Sequence, residues 1–218
     1  TDEKLSAIKD VGASRICVNP QSLNDETLVK IGRAHTSRDF FDKYALARKY
    51  GFDINVDLIA GLNGETVADF SRSLDGVAVL RPENVTVHTL SRKNGSQLKQ
   101  DGKYDNSEIA EMTDYARAAM AGNGYLPYYL YRQKQMLGNL ENVGYTLPGK
   151  QCVNNVTTME DCMSVIACGA GAITKAVDLQ RGKITRFAAL RETALYIERF
   201  DEKAEEKRNF LKKQFTKA

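Results

Sequence analysis

The chain has 218 residues, 42% hydrophobic and 27% charged. It is long enough for a substantial core, and its globular-average composition excludes a disordered chain or a collagen-like fibre. No run approaches the roughly 18 uninterrupted apolar residues of a membrane span, and the polar start TDEKLSAIKD has no secretory signal. Thirty-one Lys and Arg against 28 Asp and Glu leave a net charge of only +3. The basic residues crowd the end of the chain (Lys203, Lys207, Arg208, Lys212, Lys213, Lys217) but alternate with Asp201, Glu202, Glu205 and Glu206. That is the pattern of a solvated amphipathic helix, not the one-signed stripe with aromatics expected of a nucleic-acid binder.

The elements follow in chain order. Three β-branched runs, Arg15–Asn19, Ile54–Ile59 and Asn84–Leu90, read as strands. Between the first two lie a short helix capped by Asn24 and running toward Gly32, then a longer one starting at Thr36 or Ser37. The longer helix has Phe40, Tyr44 and Ala47 on one face and stops at Gly51. Between the second and third strands, Thr66 and Asp69 form a capping box and Phe70, Leu74 and Val77 line one face before Pro82. Strands 30 to 40 residues apart with helices between them are βαβ units, so the strands are expected to be parallel with their C-termini at one rim.

After Leu90 the rhythm changes. A polar stretch carries turn signals at Asn94-Gly95 and Asp101-Gly102. Next come a helix over 107–121, an aromatic β-prone run at Tyr125–Tyr131, and an Asn/Gly/Pro loop over Asn139–Asn155. Ser164–Thr174 reads as a strand entering a small-residue turn, Lys183–Leu190 as a further strand, and the tail from Glu192 as helical. Three βα units make half of a barrel. Both edges of so small a sheet would be unpaired, which suggests a piece of a longer protein lacking an N-terminal half, and would permit self-association through the open edge.

Several residues could carry chemistry. Gln21 follows the first strand. Asp57, a carboxylate in an apolar strand, needs a partner or a ligand, with a barrel arginine as the plain alternative. His88 lies in the third strand and is otherwise a core histidine satisfied by a neighbour. Arg33, past the short helix, could reach the same rim and pair with an anionic ligand, or be a surface arginine. The turn Gly61–Thr66 could hold an anion or be an ordinary tight turn, while Gly169–Lys175 matches neither common phosphate-loop pattern. The cysteines (Cys17, Cys152, Cys162, Cys168) have no zinc-site or dithiol spacing, so no metal ligand is assigned. Their low density fits a reducing cytoplasm, and Cys17 reads as a buried, inert thiol.

Together, RICVNPQSLNDETLVKIGRAHT, INVDLIAGLNGET and NVTVHTL resemble the second half of the radical SAM barrel of oxygen-independent coproporphyrinogen III oxidases. YYLYRQKQMLGNLENVGYTLPGKQC and CGAGAITK look closest to the Gram-positive, coproporphyrinogen dehydrogenase-like branch, and the likeness covers roughly residues 5–215. The resemblance implies an α/β fold: the second half of a (β/α)6 partial TIM barrel over residues 1–92, and a C-terminal α+β accessory region over 93–218. It implies S-adenosylmethionine and a [4Fe–4S] cluster as cofactors, and a 5′-deoxyadenosyl radical that starts the decarboxylation of coproporphyrinogen III propionates to vinyl groups. It places Gln21 at the ribose hydroxyls, Arg33 at the methionyl carboxylate, Asp57 near the nucleoside or sulfonium, and Thr89 and Leu90 at the adenine. Arg132 is an arginine available to the propionates of a tetrapyrrole.

The departures matter. The family's CxxxCxxC cluster loop and its glycine-rich second-strand motif are absent, and Asn63 stands where many relatives carry proline. A polypeptide without the cluster thiolates is expected to be inactive alone. Three alternatives stay open: a haem-binding chaperone of the same superfamily, a half-barrel assembly module, and a radical SAM reaction on another substrate.

Overall fold

The computed structural model describes residues 1–91, 106–132 and 136–215. The turn signals at Asn94-Gly95 and Asp101-Gly102 lie outside the described residues. The chain divides into two compact units, Thr1–Cys152 and Val153–Ala218. The first unit runs past residue 92 because the segments that follow the third strand add to the same sheet.

In the first unit, helix α1 (Asp2–Asp10) precedes β1 (Arg15–Cys17), α2 (Asp25–Lys30), α3 (Ser37–Lys49), β2 (Asp53–Ala60), α4 (Val67–Val79) and β3 (Asn84–Thr89). Then come α5 (Asn106–Gly122), β4 (Leu126–Tyr131), a 3₁₀ turn (Leu137–Asn139) and β5 (Asn142–Thr146). The sheet order is β1-β2-β3-β5-β4. The first three strands are parallel, with Cys17 beside Asn55 and Val56 beside Val85, and β5 runs antiparallel to both β3 and β4.

Alternation along β2 sets the two faces. Ile54, Val56, Leu58 and Ala60 are buried, as are Val85 and Val87 of β3. They share one core with Phe40, Tyr44 and Ala47 of α3, Phe70, Leu74 and Val77 of α4, and Met112, Ala116 and Met120 of α5. Each of the larger of these side chains stabilises the fold by about 1.5–3 kcal/mol. Both α3 and α4 start at capping boxes, Thr36 with Asp39 and Thr66 with Asp69, so their first N–H groups are satisfied locally. At the strand N-termini the buried Glu83 accepts from Arg48 Nη1 (2.6 Å) and from the Ile54 N–H (2.7 Å).

Two expectations for this unit need correction. The stretch 139–155 is not a loop: it contains β5 and the start of a helix at Val153. Asn142 and Gly144 masked the strand pattern, yet each has a place in it. The Asn142 side-chain carbonyl accepts the Thr89 N–H (2.8 Å), and a Cβ on Gly144 would overlap the Tyr129 ring. The edge of β3 is consequently paired, so among the described strands of this sheet the edges are β1 and β4. Cys17 is exposed rather than buried, because β1 is one of those edges.

The second unit holds α6 (Val153–Met159), the antiparallel hairpin of β6 (Ile173–Asp178) and β7 (Lys183–Ala188), then α7 (Thr193–Glu198) and α8 (Phe200–Phe215). Ser164–Thr174 is a strand only at its end, where Ile173 and Thr174 open β6. Before that, Val165 bridges Lys175, the Val177 N–H donates to Ser164 Oγ (2.9 Å) and the Ala167 N–H donates to Thr174 Oγ1 (3.2 Å), but the alanines and glycines bring little to pack on a pleated surface. Phe187 lies 5.7 Å from Phe210, and Lys175 pairs with Asp161 at 2.6 Å. Among the described residues no helix is long and apolar enough to cross a membrane.

Candidate functional site

The face of the sheet opposite the helices is polar. β2 presents Asn55 and Asp57, β3 presents Thr86 and His88, and β4 presents Tyr129 and Tyr131, all of them interlinked. Asp57 accepts from Asn19 Nδ2 and Asn55 Nδ2, both at 2.7 Å, and its Oδ2 lies 3.6 Å from His88 Nε2. Asn19 returns the contact by accepting the Asp57 N–H at 3.1 Å. His88 Nδ1 lies 3.3 Å from the Tyr131 hydroxyl. Thr86 Oγ1 donates to Asn55 Oδ1 and lies 3.2 Å from the Tyr129 hydroxyl. The Tyr129 and Tyr131 rings stack within 6° of parallel, 6.1 Å apart.

Burial by itself would raise the Asp57 carboxyl. The contacts from His88, Asn55 and Thr86, with the His88 charge, outweigh it and hold the group below the usual carboxylate range. Asp57 is thus an anion satisfied from within. Its partners are two amides and an imidazole, not the arginine considered from sequence.

Above this network the rim opens into a cleft of about 270 Å³ that Gln21, Ile59, His88, Thr89, Leu90 and Tyr131 help to line. Gln21 has φ +71°, the left-handed region that costs a non-glycine residue about 1–2 kcal/mol. Its backbone is clamped there by β2, the N–H donating to Asp57 O (3.1 Å) and the carbonyl accepting the Ile59 N–H (2.9 Å). Its side-chain amide has no hydrogen-bond partner among the described residues. Strain held by flanking hydrogen bonds, with a free amide at the end, is a pattern associated with ligand sites.

The other expected residues divide. Leu90 lines the cleft, but its N–H donates to Ala60 O and its carbonyl accepts from Leu137, each at 3.0 Å, so only its side chain is available. Thr89 is buried, and its hydroxyl donates to Glu141 O at 3.1 Å. Arg33 is exposed and does not line this cleft; its neighbours Ala34 and His35 line a separate hollow with Cys17 and Asn19. Behind the rim, Glu65 is buried and accepts from the Ser22 hydroxyl, which also accepts the Asn24 N–H. This contact ties the segment carrying Gln21 to the turn after β2. Burial pushes the Glu65 carboxyl up despite hydrogen bonds from Ser22 and Thr27.

Residues 1–76 match the Radical SAM superfamily. Over its whole length the chain is 45% identical to the oxygen-independent coproporphyrinogen-III oxidase-like protein HemZ of Bacillus subtilis. This chain belongs to the radical SAM superfamily. It spans 44% of that relative's length. It is also 31% identical, over 58% of the chain and 35% of the relative, to the heme chaperone HemW of Bacillus subtilis. Among solved structures, coproporphyrinogen III oxidase (HemN) from Escherichia coli superposes with a TM-score of 0.71 at 18% identity, covering 93% of this chain and 46% of that one. The fold is accordingly a radical SAM fold, with three parallel βα units carrying the rim.

Radical SAM proteins as a class use S-adenosylmethionine with a [4Fe–4S] cluster. The residues of this chain do not fit the cluster: its four cysteines are all free, and no three His, Cys, Asp or Glu converge among the described residues. They do fit the nucleoside part of the other cofactor, through a free amide and an apolar side chain at one cleft.

The cleft and the network beneath it bring Gln21, Asp57, Leu90 and His88, which the sequence singles out, together with Asn19, Asn55, Thr86, Tyr129 and Tyr131, which it does not. The signal was present as a period of two: Asn55 and Asp57, then Thr86 and His88, stand two apart within apolar runs.

Proposed function

We propose that this chain is the part of an oxygen-independent coproporphyrinogen III oxidase-like radical SAM oxidoreductase that holds the nucleoside of S-adenosylmethionine, in a protein of the cytoplasm acting on a tetrapyrrole carboxylate. The observation that carries the reading is the meeting of the free Gln21 amide, the Leu90 side chain and His88 at one cleft, with the Asp57 carboxylate 3.6 Å from the His88 imidazole. S-adenosylmethionine, once bound, supplies the hydrogen-abstracting chemistry. Gln21 offers both a donor and an acceptor to the ribose hydroxyls, and Leu90 packs on the adenine. Asp57, kept ionised, gives the inner face a negative field that favours a sulfonium cation. Arg33 is assigned to the methionyl carboxylate through a turn of its exposed side chain over the rim.

The test is calorimetric titration of the full chain with S-adenosylmethionine. Gln21→Ala is expected to weaken binding about tenfold, the equivalent of one net hydrogen bond of about 1.4 kcal/mol. Unchanged affinity overturns the assignment.

The likeness to a heme chaperone favours a second reading, in which the same fold carries haem instead of oxidising a porphyrinogen. Anaerobic turnover of coproporphyrinogen by the whole protein supports the oxidase. Stoichiometric haem binding without turnover supports the chaperone.

A further inference from the structure

The unit Val153–Ala218 contains a cavity of its own, about 420 Å³, within the range of about 300–1,000 Å³ usual for small-molecule sites. Phe187, Tyr196, Phe200 and Leu211 supply apolar walls. Tyr196 and Phe200 meet edge to face at 5.9 Å and close one side. Room is left because the facing positions are small: Gly169 and Ala172 come from the CGAGAIT stretch, which no part of the proposed function uses, Ala167 from just before it, and Ala204 from α8.

The polar groups here are cationic. Lys203, Lys207 and Arg208 of α8 line the cavity, but they are not equivalent. Lys203 Nζ lies 2.7 Å from Glu206 and 3.8 Å from Glu202, and Arg208 pairs with Glu205. The ammonium of Lys207 donates to the Ala167 carbonyl, a neutral partner, and no carboxylate reaches it among the described residues. An ammonium has three donors, so this half-buried cation keeps capacity for a ligand anion. One available ammonium, with the arginine fork already engaged, suits a monoanionic carboxylate better than a phosphate, which calls for several donors.

We propose that this cavity binds an apolar carboxylate, its body between Phe187, Tyr196 and Phe200 and its carboxylate on Lys207. Such a ligand could be a fatty acid or the propionate of a porphyrin. The chemistry is shared, and the two sources are separated by experiment. The site lies wholly within residues 166–211, so it stands or falls independently of the Gln21 cleft.

The test is isothermal titration of the full chain with laurate and, separately, with protoporphyrin IX, each against its methyl ester. Saturable binding of one acid, at least tenfold tighter than its ester, supports the proposal and identifies the source. Lys207→Met is expected to weaken binding at least tenfold. Ala204→Trp, which fills the cavity from a helix surface and leaves Lys207 in place, is expected to abolish it while circular dichroism stays unchanged. The proposal is overturned if neither acid binds saturably, if acid and ester bind equally, or if folded Ala204→Trp binds as the unaltered chain does.

Discussion

The two compact units differ most in how they bury apolar surface. Of the 25 buried hydrophobic side chains among the described residues, only Ala176 lies beyond Cys152. Residues 1–152 put one face of β2 and β3 and three helices into one core. Residues 153–215 rely on a hairpin, an aromatic pair and exposed ion pairs, which contribute little individually. The difference shows what a polar site needs. With the helix side of the sheet carrying the stability, the opposite face can keep Asn19, Asn55, Asp57, Thr86 and His88, which would be a liability in a thin structure.

The sharpest way to break this comparison is to cut equally into both cores. Phe70→Ala removes a ring that is 1% exposed and is expected to cost about 3–5 kcal/mol. Phe187→Ala removes a half-buried ring and is expected to cost less than half as much. Urea denaturation of the two variants decides, and similar losses would show that the second unit has a core as tight as the first. A smaller cut tests the inner face. Gly144→Ala puts a methyl into the Tyr129 ring and forces it from its stack on Tyr131, an overpacking cost of about 1–3 kcal/mol. Loss of the tyrosine near-ultraviolet dichroism should accompany it. An unchanged signal would mean that the stack does not need the glycine.

How much of this was legible in the sequence also differs between the regions. The three βα units were, since Phe40/Tyr44/Ala47, Phe70/Leu74/Val77 and the Thr66–Asp69 box follow from local spacing alone. β5 was not, because its strand identity depends on partners far along the chain: Asn142 is there for Thr89, and Gly144 for Tyr129. The CGAGAIT stretch misled for the opposite reason. Small residues there leave a space, and periodicity cannot distinguish a space from a turn. In the site, Asp57 could be picked out as a carboxylate in an apolar strand and Gln21 by its place after the first strand, but beyond Asn55 on its own strand the partners of Asp57 are Asn19, just past β1, and His88 of β3, which only the register of the sheet selects. Arg33 was placed at the rim by its loop position, and its side chain is exposed outside the cleft.

Gln21→Gly sets stability against binding. Glycine relieves the left-handed backbone, about 1–2 kcal/mol, but gives the unfolded chain extra freedom worth roughly 0.5–1 kcal/mol. A net gain below about 1 kcal/mol is therefore expected by denaturation, together with the same loss of S-adenosylmethionine affinity as Gln21→Ala. A destabilised variant would show that the amide has a structural partner and weaken its assignment to a ligand.

The smallest expected effect is one of sign. Glu65 is buried and its carboxyl is pushed above the ordinary 4.5, whereas Asp57 is held below the ordinary 3.8. A raised pKa means that the folded state keeps a proton the unfolded chain has released, so stability falls as pH rises from about 4.5 through the raised value. The depressed Asp57 acts oppositely: its contribution is present above 3.8 and is lost as pH falls below it. Glu65→Gln mimics the protonated acid and can still accept from Ser22. It should match the unaltered chain near pH 4, and equal or exceed it in melting temperature at pH 8. Asp57→Asn should instead be worse than the unaltered chain at pH 8 and converge with it in acid. If both variants shift stability in the same direction at pH 8, the two carboxyls are not differently ionised, and the negative field assigned to the inner face loses its basis.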